Sequence, residues 1–180
     1  MKTIKKTISL AFVCFLVVFT GCNKNNDDGG ATATTGAGGE SFTATVAGAS
    51  FAASTDIASL IGGTISTSNG MSIAAGQGST NSGNFINFSI IGYNGPGTYN
   101  TGNNLTNANI IQYGELNGTT ASAWSSNLVT AVLGTLTPGE IVITSDTNGV
   151  LEGTFSFEGY NGQNMTTKMI TGGSFKINLD

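Results

Sequence analysis

Histidine and arginine are both missing from this chain of 180 residues. Without histidine there is no Ser-His-Asp or Cys-His catalysis and no His-ligated zinc. Without arginine, and with 6 lysines against 10 acids, the chain lacks the cations that neutralise phosphates, which excludes nucleic acid as a partner. Bidentate capture of a phosphate or carboxylate also prefers arginine, so anionic ligands are disfavoured. Charged residues of either sign make up only 9% of the chain. Proline is confined to Pro96 and Pro138, each beside a glycine, which marks turns. No stretch sustains the 3.6-residue apolar period of a long amphipathic helix.

What is present begins with a leader. Lys2, Lys5 and Lys6 precede an apolar run over residues 8–19, which ends in Phe19-Thr20-Gly21-Cys22. A basic start, an apolar middle and a small residue at the end describe a secretory signal. The run of 12 residues is too short to span a bilayer, which takes about 20. With its terminal Gly-Cys the segment resembles a bacterial lipoprotein signal, although Phe19 stands where leucine is usual. That resemblance implies cleavage after Gly21, a diacylglyceryl group on the Cys22 thiol and acylation of the new amine. One acyl chain gives marginal membrane binding, whereas two or more hold firmly. Cys14 leaves with the signal, so Cys22 is the sole remaining thiol, and neither an intramolecular disulfide nor a cysteine metal cluster can form. The mature chain keeps three lysines against ten acids, a net charge of −7.

Residues 23–40 carry five glycines among Ala, Thr and Asn and no large apolar side chain. Such a segment cannot offset its ordering entropy by burial, so it reads as a tether, spanning about 20–25 Å as a flexible coil. Asp27-Asp28 resembles the acidic export signals of Bacteroidota surface lipoproteins. The implied location is the bacterial outer membrane, on its surface or its periplasmic side.

Residues 41–180 hold 21 of the 27 glycines, about twice the usual density. Many turns between short strands follow. Leu151, Gly153, Phe155 and Phe157 alternate with polar residues, as do Phe175, Ile177 and Leu179. Phe42, Ala44 and Val46, then Met71, Ile73 and Ala75, then Ile86, Phe88 and Ile90 repeat the pattern. Ile110-Ile111 and Leu128-Val129 read as strand centres. Residues 58–61 read as one helical turn capped by Asp56, stopped by Gly62-Gly63. Ile141 and Ile143 form a strand that turns at Asp146-Thr147-Asn148-Gly149 into the Phe155 strand. A two-residue turn at Asn148-Gly149 would set Ile143 opposite Thr154, on the polar face. A three-residue loop, Thr147 to Gly149, sets Ile141 opposite Phe155 and Ile143 opposite Gly153. Because a one-residue slip turns every apolar side chain outward, burial selects the three-residue loop. The expected fold is one all-β, mostly antiparallel domain, a sandwich or a flattened barrel.

The segments Phe42-Thr43-Ala44-Thr45-Val46-Ala47-Gly48 with Phe51, Gly97-Thr98-Tyr99, Gly139-Glu140-Ile141-Val142-Ile143-Thr144, Gly153-Thr154-Phe155-Ser156-Phe157 and Ile170-Thr171-Gly172-Gly173-Ser174-Phe175 resemble small Bacteroidota lipoproteins with a β-rich domain of unknown function. The resemblance covers most of the domain. It implies architecture and location, and no reaction.

Candidate chemistry is sparse. Asp146, Asn148 and Gly149 look like part of a calcium loop, but the twelfth position holds Phe157 where an EF-hand needs an acid; a solvated hairpin turn fits better. Glu152 and Glu158 lie six residues apart on one strand face, about 20 Å, too far for the paired carboxylates of a glycosidase. Gly76-Gln77-Gly78-Ser79 lacks the lysine of a phosphate loop and reads as a turn. The remaining candidates are Tyr93, Tyr99, Tyr113, Trp124 and Tyr160, which stand beside Asn, Gly, Ser and Gln. Such rings can stack on sugars while amides bond hydroxyls, or they can pack on the core rim with their polar ends in water.

Two functions fit. One is a non-catalytic lipoprotein that binds a neutral glycan or a protein partner; the other is a structural or assembly lipoprotein with no small ligand. A cleft lined by at least three of these aromatics would favour the first, and a filled interior with scattered aromatics the second. No cofactor or metal is called for. Cys22→Ala is expected to abolish membrane anchoring, and labelling with a palmitate analogue checks it: incorporation equal to wild type would contradict the lipid attachment.

Overall fold

A computed structural model describes residues 39–53, 61–65, 69–79 and 82–179. The leader, Cys22 and residues 23–38 of the tether lie outside the described residues. So does most of the Asp56-capped turn, although Ile61 opens a strand. The elements are β1 Ser41–Val46, β2 Ala49–Ala52, β3 Ile61–Ile65, β4 Gly70–Ser79, β5 Ser82–Ile91, β6 Gly97–Thr101, β7 Ile110–Asn117, β8 Thr120–Ser126, α1 Leu128–Leu133, β9 Gly139–Thr147, β10 Val150–Asn161 and β11 Thr166–Asn178. The all-β expectation is met by one antiparallel sheet in the order β2-β1-β11-β10-β8-β7-β5-β4-β3, with β9 beside β10 and β6 beside β9.

The sheet curls into a half-barrel because the alternating apolar faces must leave water together. Phe42 of β1 and Phe88 of β5 stand far apart in strand order, yet their rings are 6.3 Å apart. Phe155 and Phe175 lie between them, 5.0 Å from Phe42 and 5.5 Å from Phe88 respectively. Directly opposite these rings on the neighbouring strands are Gly173 and Gly153. A Cβ on Gly173 would lie 2.6 Å from the Phe155 ring, and one on Gly153 2.5 Å from the Phe175 ring. These glycines are therefore needed for space. A parallel bridge between Gly63 and Leu179 brings β3 against the end of β11.

Two β-bulges re-aim side chains. On β11 one extra residue, at Gly172, shifts the register against both β10 and β1, so that Thr171 and Gly172 together oppose Ser156, and Gly172 takes φ +58°. On β9 the bulge corrects the expected loop. Ile141 does face Phe155 and Ile143 does face Gly153, but the turn has two residues: Val150 pairs with Thr147, and Asn148 and Gly149 take φ of 54° and 74°, as a type I′ turn requires. The extra residue is Thr144, bulged between Ile143 and Ser145. Its hydroxyl donates to the Glu152 carbonyl at 3.1 Å. Burial thus fixes the register, and the slack is absorbed inside the strand.

Two further expectations fail. Leu128-Val129 opens the helix α1 instead of a strand, because Asn127 and Thr130 form a capping box and Gly134 ends the helix at φ 64°. Gly76-Gln77-Gly78-Ser79 continues β4 instead of turning. Phe85 stands on the outer face opposite Gly76 and Gly114, lying over the bare backbone of Gly114.

The sheet forks along β10, which pairs with β9 through Ser156 and meets β8 at Tyr160. Ser126 fills the fork. Its buried hydroxyl accepts from Thr101 Oγ1 at 2.9 Å and Gly139 N at 3.1 Å and donates to the Thr101 carbonyl at 3.2 Å. The exposed edge of β6 is blunted by asparagines: the amides of Asn107 and Asn109 donate to the Asn100 carbonyl at 2.6 and 3.0 Å.

The two-residue turn makes a specific prediction. Gly149→Val and Asn148→Val should each destabilise by about 1–3 kcal/mol in urea unfolding, since both demand positive φ of a β-branched residue. Thr147→Val should cost far less. An Asn148→Val variant as stable as Thr147→Val would contradict this turn.

Candidate functional site

The five sequence-selected aromatics separate into two pairs and one outlier. Tyr93 and Tyr99 have ring centroids 5.6 Å apart, Tyr113 and Trp124 6.0 Å. Tyr160 stands apart on the outward face of β10, opposite Ser125. Of the two depressions described below, one is lined by Tyr113 alone of the five and the other by none.

The first pair is structural. Tyr93, just past β5, donates to Asp146 Oδ2 at 2.7 Å. The Thr144 bulge is what turns Asp146 to the concave side, opposite buried Leu151, so this residue is a phenol's partner and not a solvated turn residue. Tyr99 donates to the Gly95 carbonyl at 2.6 Å and accepts from Asn94 N at 3.1 Å, closing the loop before β6. Burial, and then the Asp146 carboxylate, push the Tyr93 phenol well above its ordinary pKa.

The second pair is buried as well, Tyr113 at 3% and Trp124 at 5% exposure, but Tyr113 reaches the rim of a surface depression. Tyr113 of β7 and Trp124 of β8 are directly opposite one another. The Trp124 indole donates to Thr166 Oγ1 at 2.9 Å. Gly159 of β10 gives it room: a Cβ there would lie 2.8 Å from Trp124 Cβ. Lys168 of β11 lays its ammonium 4.0 Å from the Trp124 ring centre and 5.2 Å from that of Tyr113, and forms an ion pair with Glu115. The same carboxylate oxygen accepts from the Tyr113 hydroxyl at 2.9 Å. Burial, then Glu115, raise the Tyr113 pKa as they do for Tyr93. The cation–π stack covers the aromatic faces that a sugar would need.

Beside this stack lies an open depression of about 300 Å³, with Val46, Ala47 and Phe51 on one wall and Asn84, Tyr113, Glu115 and Lys168 on the other. A second, of about 360 Å³, shares Asn84 and Glu115 and continues to Gln77 and Asn117. The side-chain amides of Gln77, Asn84 and Asn117 have no hydrogen-bond partner among the described residues, so they offer donors and acceptors to whatever fills the depressions.

Elsewhere the acids are spent singly. Glu152 pairs with Lys176 at 2.8 Å, and Glu158 accepts from Thr137 N at 3.0 Å. Among the described residues no three His, Cys, Asp or Glu come together to hold a metal ion. Sequence reasoning passed over Lys168 and Glu115, yet their parity announced them. Lys168 shares a face with Ile170, and Glu115 with Ile111 and Tyr113, so both had to point inward.

Set against family profiles, curated proteins and solved structures, the chain matches none.

The raised phenols predict alkaline sensitivity. Below pH about 10 the unfolded tyrosines are also protonated and the native arrangement keeps its full stability. Above it the unfolded state sheds protons that the folded state retains, so stability falls. Urea titrations at pH 9 and 11 should show this loss, and Tyr93→Phe or Tyr113→Phe should each lessen it by up to about 1.4 kcal/mol per pH unit. A loss unchanged by both substitutions would contradict the buried phenols.

Proposed function

We propose that the protein is a non-catalytic lipoprotein of the bacterial outer membrane, anchored through Cys22, whose half-barrel serves as a structural or assembly module. It meets a protein partner at its surface and holds no small ligand inside. The observation that supports this most is the internal use of the aromatics. Tyr93, Tyr99, Tyr113 and Trp124 each spend their polar end on a group of the same chain, and Lys168 covers the two rings nearest the surface depression.

A second reading, binding of a neutral glycan, is favoured by one observation: the unpartnered amides of Gln77, Asn84 and Asn117 along the two open depressions. The two readings part on a glycan array probed with the detergent-solubilised chain, run alongside cross-linking in membranes. A discrete cross-linked protein adduct with no saturable glycan signal is the expected result. Saturable glycan binding lost in Asn84→Ala and kept in Tyr160→Ala would overturn it in favour of the second reading.

A further inference from the structure

The helix α1 is built inside out. Its one buried residue is Thr130, whose hydroxyl accepts from Asn127 N at 3.1 Å and donates to the Ser125 carbonyl at 3.3 Å. Gly102 packs against it, with room for no Cβ: one would lie 2.9 Å from Thr130 Cβ. The large apolar side chains face water instead: Leu128 is 42% exposed, Val129 50%, Val132 70% and Leu133 41%. At 100° per residue these four occupy about 140° of the circumference, a single outward apolar face. The helix carries no acid in its first turn and no base in its last, and no charged residue occurs between Glu115 and Glu140. Glu158, bound to Thr137 N, marks where this uncharged surface ends.

The domain does not use this face for its own stability, and hydration of so much apolar surface is unfavourable. A partner of matching chemistry is close at hand. The 18 residues between Cys22 and Ser41 can span at most about 60–65 Å when fully extended, so a lipid-anchored Cys22 keeps the domain within reach of the bilayer. A capped, uncharged, outward-facing apolar helix suits the boundary between headgroups and acyl chains, where short amphipathic helices lie in the plane of the membrane.

We infer that α1 is a membrane-contacting element, which seats Leu128, Val129, Val132 and Leu133 in the lipid surface and so fixes which side of the half-barrel faces away from it. The inference rests on the Cys22 anchor proposed above.

The test uses the full lipidated chain in vesicles of equal phosphatidylethanolamine and phosphatidylglycerol. Cys14 departs with the signal and Cys22 is acylated, so Val132→Cys supplies the only thiol for an environment-sensitive fluorophore; Thr154→Cys, exposed on β10, is the reference, and Trp124 emission reports folding. Flotation with the vesicles reads the anchor and quenching reads the helix. Iodide is expected to quench the label at 132 at least about threefold less than the label at 154, while a nitroxide carried on lipid quenches it strongly. Equal iodide access at both positions in floating protein overturns the inference and leaves the anchor standing. Shielding from iodide without nitroxide quenching also overturns it, in favour of a protein cover. Protein that fails to float refutes the anchor and with it the lipid contact.

Discussion

The fold depends on the meeting of four phenylalanines across the concave side of the sheet. Phe42, Phe88, Phe155 and Phe175 come from β1, β5, β10 and β11, and all six of their ring pairs lie between 5.0 and 6.4 Å. Each buried ring contributes about 1.5–3 kcal/mol by leaving water, and the pairs add further through edge and offset contacts. A flat sheet would leave β1 and β5 far apart and these rings wet. The curl is what joins them, and Gly153 and Gly173 are what let the rings lie down against the backbone. With the concavity filled by Phe, Ile, Leu and Met side chains, chemistry is left to the rims and the outer surface.

The bulges extend the same logic. A strict two-residue alternation cannot serve the core over thirteen residues of β11 or nine of β9 while also reaching the partners at their ends. One inserted residue on each strand resets the parity. On β11 it leaves Ile170 buried beyond the insertion at Gly172, and hence sends Lys168 inward to Trp124. On β9 it sends Asp146 inward to Tyr93. Both polar closures of the half-barrel therefore follow from register shifts, and both are paid for by local backbone geometry.

Much of the inward set was legible: β1, β4, β5, β10 and β11 bury the alternating residues that their spacing singled out. Strands β2, β3, β6 and β8 were not. Thr120–Ser126, for instance, offers Trp124 as its one large apolar residue among Ala and Ser, too little contrast for a period to emerge. Leu128-Val129 misled because apolar residues normally signal burial, and here they face solvent; Asn127, Thr130 and Gly134 carried the better signal of a capped short helix. The hairpin register was readable from burial, but the place of its extra residue was not, since a bulge serves the core equally well anywhere between Ile143 and the turn. The aromatics were readable as a set and not as pairs, because pairing needs the strand order. Tyr113 meets Trp124 only across a hairpin whose second strand was invisible.

A filled interior is the premise from which the proposed surface role proceeds, and contact between β1 and β5 across the concavity is its most direct sign. A double-mutant cycle with Phe42→Leu and Phe88→Leu, read by urea unfolding, measures that contact apart from any hydrogen-bonded ladder, since the two strands are not neighbours in the sheet. The account predicts a coupling of about 0.5–1.5 kcal/mol between the two rings. Losses that simply add, within about 0.3–0.5 kcal/mol, would mean that the rings do not meet and that the half-barrel is open.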